Sequence, residues 1–287
     1  MIGASFALAA KRAGVADRID GWDFEDALEA ALARGIIDGV ERRLESGDAT
    51  EADLVYLAAP VGAIIDFLRT RGSLLKPGAI VTDAGSTKRE ICQAAIESLP
   101  REAHFVGGHP MAGSHKTGVE FASPDLFQGA PYAIVRDGID DESSQLRSKA
   151  LDSIVELVKA IGARPVILTA AEHDRAVAKI SHAPQLLSTA LAFACGERGC
   201  KNAIELAGSG FQDMTRLAES SWSVWEDICR TNSDEITTAL AAVIDEASAI
   251  RESIASGDFR NAREAFRSAN DFMQQLKATG INSTDER

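Results

Sequence analysis

The stretch ADLVYLAAP, residues 52–60, is an almost unbroken apolar run of strand length that stops at Pro60. Continuous rather than alternating apolar character is what a strand covered on both faces requires, and such strands belong to parallel sheets flanked by helices. The segments around it agree. IGASFALAAKRAG (2–14) reads as a helix closed by Gly14, RIDGWD (18–23) as a strand, and FEDALEAALARG (24–35) as a helix closed by Gly35. Beyond the run come a helix over 61–75, the strand GAIVTDAGS (78–86) and the helix TKREICQAAIESL (87–99). Three further strands follow in HFVGGHP (104–110), PYAIVRD (131–137) and RPVILT (164–169), with a helix over 143–161 before the last. This alternation predicts a parallel sheet wrapped by helices up to residue 169.

From Thr169 the pattern changes and no strand is expected. Residues 170–195 predict one long helix bent at Pro184. Residues 232–256 carry Ile236, Leu240, Val243, Ala247, Ile250 and Ile254 at helical spacing. Such a stripe serves a core or a dimer seam. At 287 residues two domains are expected, 1–169 α/β and 170–287 all-helical, with a frayed polar tail from about 278.

Composition narrows the function. The formal charge of −13 repels nucleic acid and anionic membranes, so neither is expected as a partner. No run approaches the ~18 apolar residues needed to span a bilayer, and the N-terminus lacks the order of a secretion signal, so a cytoplasmic location is expected. The four cysteines (Cys92, Cys195, Cys200, Cys229) match no common zinc or redox spacing and are expected reduced and mostly buried. His104, His109 and His115 straddle Pro110 and Gly113, which no helix carries, so no metal site is expected from them.

A dinucleotide-binding fold starts with a strand, then G-x-G-x-x-G opening a helix, with an acid about 20 residues on to hold the adenosine ribose. Gly3 stands as the last glycine of that motif and Asp23 as the acid. The preceding strand and first two glycines are missing before Met1, which predicts a gap in a Rossmann-like sheet and a true start upstream. Asp23 could equally cap the helix beginning at Phe24, and the two roles are compatible. Three segments are expected at the carboxyl ends of parallel strands, where ligands bind in open α/β sheets: AAPVGA (58–63), DAGSTK (83–88) and GGHPMAGSH (107–115). Ala59, Pro60, Asp83 and Gly85 join Gly3 and Asp23 as cofactor-facing candidates. Ser86 offers a hydroxyl, Lys88 a cation, and His109 a base that titrates near neutrality.

In order along the chain, DAGSTK, GGHPMAGSHKTGVEFASPDLFQGAPYAI, EHDRAVAKISHAPQ and GSGFQDMTRLAESSWSVWEDICRTN resemble the prephenate and arogenate dehydrogenases of tyrosine biosynthesis. The resemblance covers nearly the whole chain. It implies an N-terminal nucleotide-binding domain, a C-terminal helical dimerisation domain, a homodimer, and oxidative decarboxylation of prephenate to 4-hydroxyphenylpyruvate and CO2 with NAD. His109 would then be the base on the substrate's 4-hydroxyl, Ser86 would orient that histidine or the hydroxyl, and Lys88 would add positive potential. Arg216 would grip a substrate carboxylate. His173 and Ser181 would face the cleft, and Gln185 and His115 stand where relatives often carry a second histidine and an acid. The missing acid leans away from arogenate, whose side chain bears an ammonium. Trp225 matches a family tryptophan or a core position.

NAD over NADP follows from Asp23, which would repel a 2′-phosphate. Other readings stay open: arogenate as substrate, another hydroxy acid on the same architecture, or a non-catalytic dimeric remnant lacking its first strand. Retention of Ser86, His109 and Arg216 on three separate segments opposes the last.

Overall fold

The expected alternation is present in the computed structural model, which describes residues 1–113, 118–136, 144–198, 202 and 204–278. Helix α1 (Ile2–Ala13) leads to β1 (Asp20–Gly21), α2 (Glu25–Ala33), β2 (Gly39–Val40) and a short α3 (Arg43–Ser46). Next come β3 (Leu54–Leu57), α4 (Val61–Arg71), β4 (Ile80–Asp83), α5 (Arg89–Ser98), β5 (His104–Val106), β6 (Gly108–Pro110), β7 (Pro131–Val135), α6 (Ser144–Ala160) and β8 (Arg164–Leu168). After Leu168 the regular elements among the described residues are helical: α7 (Ala170–Val177), α8 (Ala183–Arg198), α9 (Ser209–Thr215), α10 (Trp222–Thr231), α11 (Ser233–Ser256) and α12 (Arg260–Ala278). The predicted glycine stops hold, since Gly14 and Gly35 take positive φ of 67° and 66°, a region that costs glycine little.

The strands form three ladders. β1 and β2 pair in parallel, β3, β4 and β5 form a parallel ladder in that order, and β7 joins antiparallel β6 to parallel β8. Helices α4 and α5 pack Val61, Ile64, Leu68, Ile91 and Ala95 against Leu57 and Val81. A second cluster joins Phe6 of α1 to Tyr132 and Ile134 of β7 and to Ile154 and Val158 of α6. Phe6 also stacks on Tyr56 of β3 at 3.8 Å between ring centroids.

Two features depart from the sequence reading. HFVGGHP is two strands, broken at Gly107, so the chain leaves the β3–β4–β5 ladder and enters the β6–β7–β8 ladder within one residue. His109 therefore lies just beyond the carboxyl end of parallel β5, as expected, but on a short further strand that runs antiparallel to β7. The crossing brings backbones so close that a Cβ on Gly108 would lie 2.6 Å from the Asp83 carbonyl oxygen, a position that only glycine fills. Second, β3 is not covered on both faces: it ends its ladder and Leu54 is 37% exposed, while the central strand β4 carries the buried Val81, Thr82 and Asp83.

The long helix over 170–198 is continuous but changes form. A π-helical turn at residues 178–182 separates α7 from α8, directly before Pro184. Proline lacks the N–H that would bond the carbonyl four residues back and its ring clashes with that carbonyl, so a widened turn absorbs the bend. Of the cysteines described, Cys92 is buried, and Cys195 and Cys229 are half-buried. Packing divides the chain into a unit over Met1–Ser233 and a second over Asp234–Arg287. The second carries exposed Val243, Ile244, Phe266, Phe272 and Met273. No helix among the described residues is long and apolar enough to cross a membrane.

At the head of α7 the Thr169 hydroxyl accepts the Glu172 N–H at 3.2 Å, and the Glu172 carboxylate accepts the Thr169 N–H at 2.8 Å. Thr169→Ala removes one half of this capping box and should destabilise the fold by about 1 kcal/mol. The check is a lowered denaturant midpoint at unchanged slope.

Candidate active site

The floor of the site is a buried ion pair. Asp83, the last residue of β4, and Lys88, just before α5, are both fully buried and joined carboxylate to ammonium. Their remaining groups are also used. Asp83 accepts the N–H groups of Gly108 at 3.0 Å and Gly85 at 2.8 Å, and the Lys88 ammonium donates to the Gly108 carbonyl at 2.8 Å. A Cβ on Gly85 would press on the Ile91 side chain and on the Asp83 carboxylate held in the ion pair, so the turn favours glycine. Lys88 is therefore enclosed within protein, and Asp83 and Gly85 shape the turn.

His109, half-buried in the middle of β6, stands above this pair. Its Nδ1 lies 2.9 Å from Nε2 of His173, and the two rings meet edge to face. His173, on α7, is 1% exposed and sets its Nδ1 2.8 Å from the Asp174 carboxylate. Asp174, fully buried, also accepts the backbone N–H groups of Lys88 at 2.7 Å and Arg89 at 3.0 Å, and the Arg89 guanidinium at 3.2 Å. It thus caps the start of α5 from α7. Asn232 completes the cluster, donating to the Asp174 carbonyl at 2.9 Å and accepting from Arg89 at 2.9 Å.

The electrostatics follow from this enclosure. Burial, then the neighbouring His173 and Lys88, hold His109 well below the usual histidine range. Burial also lowers His173, against the pull of Asp174. Burial pushes the Asp174 carboxyl up, but the bond from His173 and the N–H groups of Arg89 and Lys88 outweigh it and hold it low. His182, buried edge-on to Trp225, is lowered by burial to about 4. The site holds neutral imidazoles beside a carboxylate that stays ionised.

The remaining candidates fall in different places. Ser86 and Ser181 are half-buried, and neither hydroxyl has a hydrogen-bond partner among the described residues; the bonded nitrogen of His109 goes to His173 and not to Ser86. The Gln185 amide donates to the Leu217 carbonyl at 2.5 Å and accepts from Ser220 at 3.2 Å. It lines a cavity of about 140 Å³ with Leu186, Thr189, Trp222 and Trp225. Arg216, exposed at the turn after α9, has no ion-pair partner among the described residues. His115 lies outside the described residues.

At the nucleotide end, Gly3 brings the first turn of α1 against the end of β3: its Cβ would lie 3.1 Å from that of Ala58. That first turn carries no acidic side chain and no side-chain cap, as an anion-binding helix start requires. Ala59 and Pro60 are exposed. Asp23 is exposed after β1 and accepts the Phe24 N–H at 2.8 Å, while Phe24 itself occupies the cap position of α2.

Sequence reasoning missed Asp174, Arg89 and Asn232. One signal was available for the first. Ala170, Asp174, Val177 and Ala178 share one helical face, so an acid sits in an apolar stripe, where it must have partners.

The chain matches two family models, described as the nucleotide-binding domain of prephenate dehydrogenase over residues 6–179 and its dimerization domain over residues 169–268. It is 37% identical over 241 residues to prephenate dehydrogenase of Lactococcus lactis subsp. cremoris, covering 83% of this chain but 64% of that one. It is 34% identical over 280 residues to the Bacillus subtilis prephenate dehydrogenase, covering 96% and 74%. The chain thus spans less than two thirds of the Lactococcus relative's length. Among solved structures it superimposes on a prephenate dehydrogenase from Aquifex aeolicus in complex with hydroxyphenyl propionate and NAD+, with a TM-score of 0.81, 25% identity, and coverage of 98% and 94%. For the arogenate dehydrogenase of Synechocystis the TM-score is 0.79 at 26% identity, with 96% of each chain covered.

His109, His173 and His182 are held neutral in the fold but protonate near 6.5 in an unfolded chain. Below that pH the unfolded state binds protons that the folded state refuses. Stability is therefore full above about pH 6.5 and falls as the pH drops toward the folded-state values. His182 alone should cost on the order of 2 kcal/mol between pH 7.5 and 5. Denaturant midpoints at the two pH values check this, and equal stability at both would mean that these rings are protonated in the fold.

Proposed function

The chain belongs to the prephenate dehydrogenase family, and from that membership and the site's geometry we propose that it oxidises and decarboxylates prephenate with NAD. The observation that carries the reading is His109, a neutral imidazole with one ring nitrogen engaged by His173 and the other left for a ligand. In this reading His109 takes the proton of the substrate's 4-hydroxyl as the C4 hydride departs. Loss of the ring carboxylate as CO2 then makes the ring aromatic, giving 4-hydroxyphenylpyruvate, and drives the reaction forward. When bound, NAD supplies the hydride acceptor.

The residues present fit that cofactor. The start of α1 at Gly3 suits a pyrophosphate, Asp23 the adenosine ribose, and exposed Ala59 and Pro60 the wall beside it. Asp83 and Gly85 serve this region by holding the turn. Lys88 acts through potential, since its ammonium is enclosed by Asp83 and Gly108. Arg216, with no ion-pair partner among the described residues, is the candidate grip for a substrate carboxylate. Ser86 and Ser181 are candidate substrate contacts by virtue of their unengaged hydroxyls, and Gln185 is a candidate through its cavity.

Prephenate is favoured over arogenate because both carboxylates bonded into the site, Asp83 and Asp174, are fully buried and saturated, so neither is offered to a substrate ammonium. We further place the functional division of the chain at residues 169/170, a homodimer through the helical part, and the protein in the cytoplasm. The apolar side chains exposed on α11 and α12 support the dimer.

NADH formation by the purified chain with prephenate, and not with arogenate, is the expected result. His109→Asn should lower kcat by about 10²–10⁴ with NAD binding retained, and wild-type turnover in that variant would remove His109 from the chemistry. Arg216→Ala should raise the apparent KM by about 10–100-fold with little change in stability, whereas an unchanged KM would leave it a surface residue.

A further inference from the structure

His109, His173 and Asp174 form a line of hydrogen bonds that runs from half-buried His109 on β6 to the fully buried Asp174, which caps the head of α5. The proton positions along this line follow from its inner end. An ionised carboxylate only accepts, and Asp174 is further committed to that state by three donors from Lys88 and Arg89. His173 must therefore donate to it from Nδ1. A neutral imidazole carries one N–H, so Nε2 of His173 is left with a lone pair. That lone pair faces Nδ1 of His109 at 2.9 Å, so Nδ1 of His109 must carry the hydrogen and Nε2 must be bare.

We infer that Asp174 and His173 are positioning residues that fix His109 as its Nδ1–H tautomer, presenting Nε2 as the base, and that they receive the charge formed there. The inference rests on the reading of His109 as the base. It moves His173 from substrate contact to partner of the base, and it gives Asp174 a role that its sequence neighbours did not reveal. The proton balance closes. The substrate hydroxyl proton goes to Nε2 of His109, the Nδ1 proton of His109 moves toward Nε2 of His173, and the resulting imidazolium faces the Asp174 carboxylate.

Burial and the nearest cation oppose a resting imidazolium along the line. Lys88, at the head of α5, repels positive charge on both rings, and His182, from the turn before α8, is itself held neutral by burial and so offers no charge of its own. Asp83 on β4 pulls the other way on His173, but its charge is shared with the Lys88 ammonium. Arg89 and Asn232 hold Asp174 in place.

The test reads the ring nitrogens and the turnover separately. In ¹⁵N-labelled protein near pH 7.5, His109 and His173 should both show a protonated Nδ1 and a bare Nε2, the minority tautomer of free imidazole side chains, with the His109 signals assigned by their loss in His109→Asn. In Asp174→Asn the amide can donate to Nδ1 of His173, which would invert both rings and cover the base. Turnover should then fall by about 10²–10⁴-fold while KM for prephenate and NAD moves by less than about threefold. His173→Leu should lose turnover to a similar degree. His173→Gln, whose amide oxygen can stand in for Nε2 as acceptor, should recover at least tenfold over His173→Leu, and no purely structural role predicts that rescue.

An Nε2–H His109 in the wild type, or His173→Leu with wild-type kcat, overturns the inference. Asp174→Asn could fail to fold because it also caps α5, but the wild-type spectrum and the His173 pair still decide. The ring spectrum needs no substrate, so a wrong substrate assignment leaves it standing. An Nε2–H His109 in a chain that turns over prephenate would overturn the inference alone.

Discussion

Two opposite charges sealed from water, Asp83 and Lys88, hold together the parts from which the site is made. A buried ion pair is tolerated only when its remaining lone pairs and protons are also met, and removing one partner generally costs several kcal/mol. Here the missing partners are supplied by backbone: the N–H groups of Gly85 and Gly108 on the carboxylate, the Gly108 carbonyl on the ammonium. The consequence is geometric. The end of β4, the turn into α5 and the start of β6 are drawn to one point, so closely that a side chain on Gly108 would strike the Asp83 backbone and one on Gly85 would press on the Asp83 carboxylate. His109 follows Gly108 directly, and its position is inherited from the pair beneath it.

Asp174 repeats the same logic one layer higher. Its carboxylate satisfies the open N–H groups at the start of α5, ties α7 to that helix, and still has an oxygen for His173. A carboxylate at a helix start is favoured by the local field as well as by the hydrogen bonds. Because the same residue that joins the two helices also orients His173, the packing of α7 on α5 and the direction of the imidazoles cannot vary independently. The π turn that follows lets the chain pass Pro184 without ending the helix, so Gln185 and the cavity beside it continue on the same rod as His173.

Much of this was legible in the sequence, and the part that was not has a common cause. Helix and strand periods and glycine stops are local signals, and they gave the alternation of elements and the helical C-terminal part; a histidine among small residues is local too, and it singles out His109 as the candidate base. The break at Gly107 was not local: HFVGGHP is extended throughout, and only its two different neighbours, β4 and β7, divide it between ladders. Leu54 was expected to be covered because its residue type is apolar, but cover depends on what lies beside the strand. Lys88 was read as a cation facing ligand because lysines seldom lie fully buried. Its burial depends on Asp83, five residues earlier in the chain. Asp174 stood beside a chosen histidine and was passed over, because adjacent residues on a helix point apart and the bond between them depends on how the His173 ring turns.

In the proposed reading, the arrangement also answers a difficulty that a dianionic substrate sets. A dianion bound beside an imidazole raises its pKa, because opposite charge favours the protonated form, and a protonated His109 could not act as base. Burial alone weakens as a defence once a charged ligand fills the space. The positive potential of Lys88 does not weaken, since the ammonium is fixed and excluded from solvent, and it opposes protonation of His109 and His173 alike. Asp83 moderates that potential without cancelling it at the rings, and Asp174 becomes useful only after a proton has arrived, by facing the imidazolium then formed. In the proposed reading, a strongly acidic chain holds a base ready for an acidic substrate in this way: burial keeps the base neutral, a buried cation adds to that, and the anion that would receive the charge lies behind it.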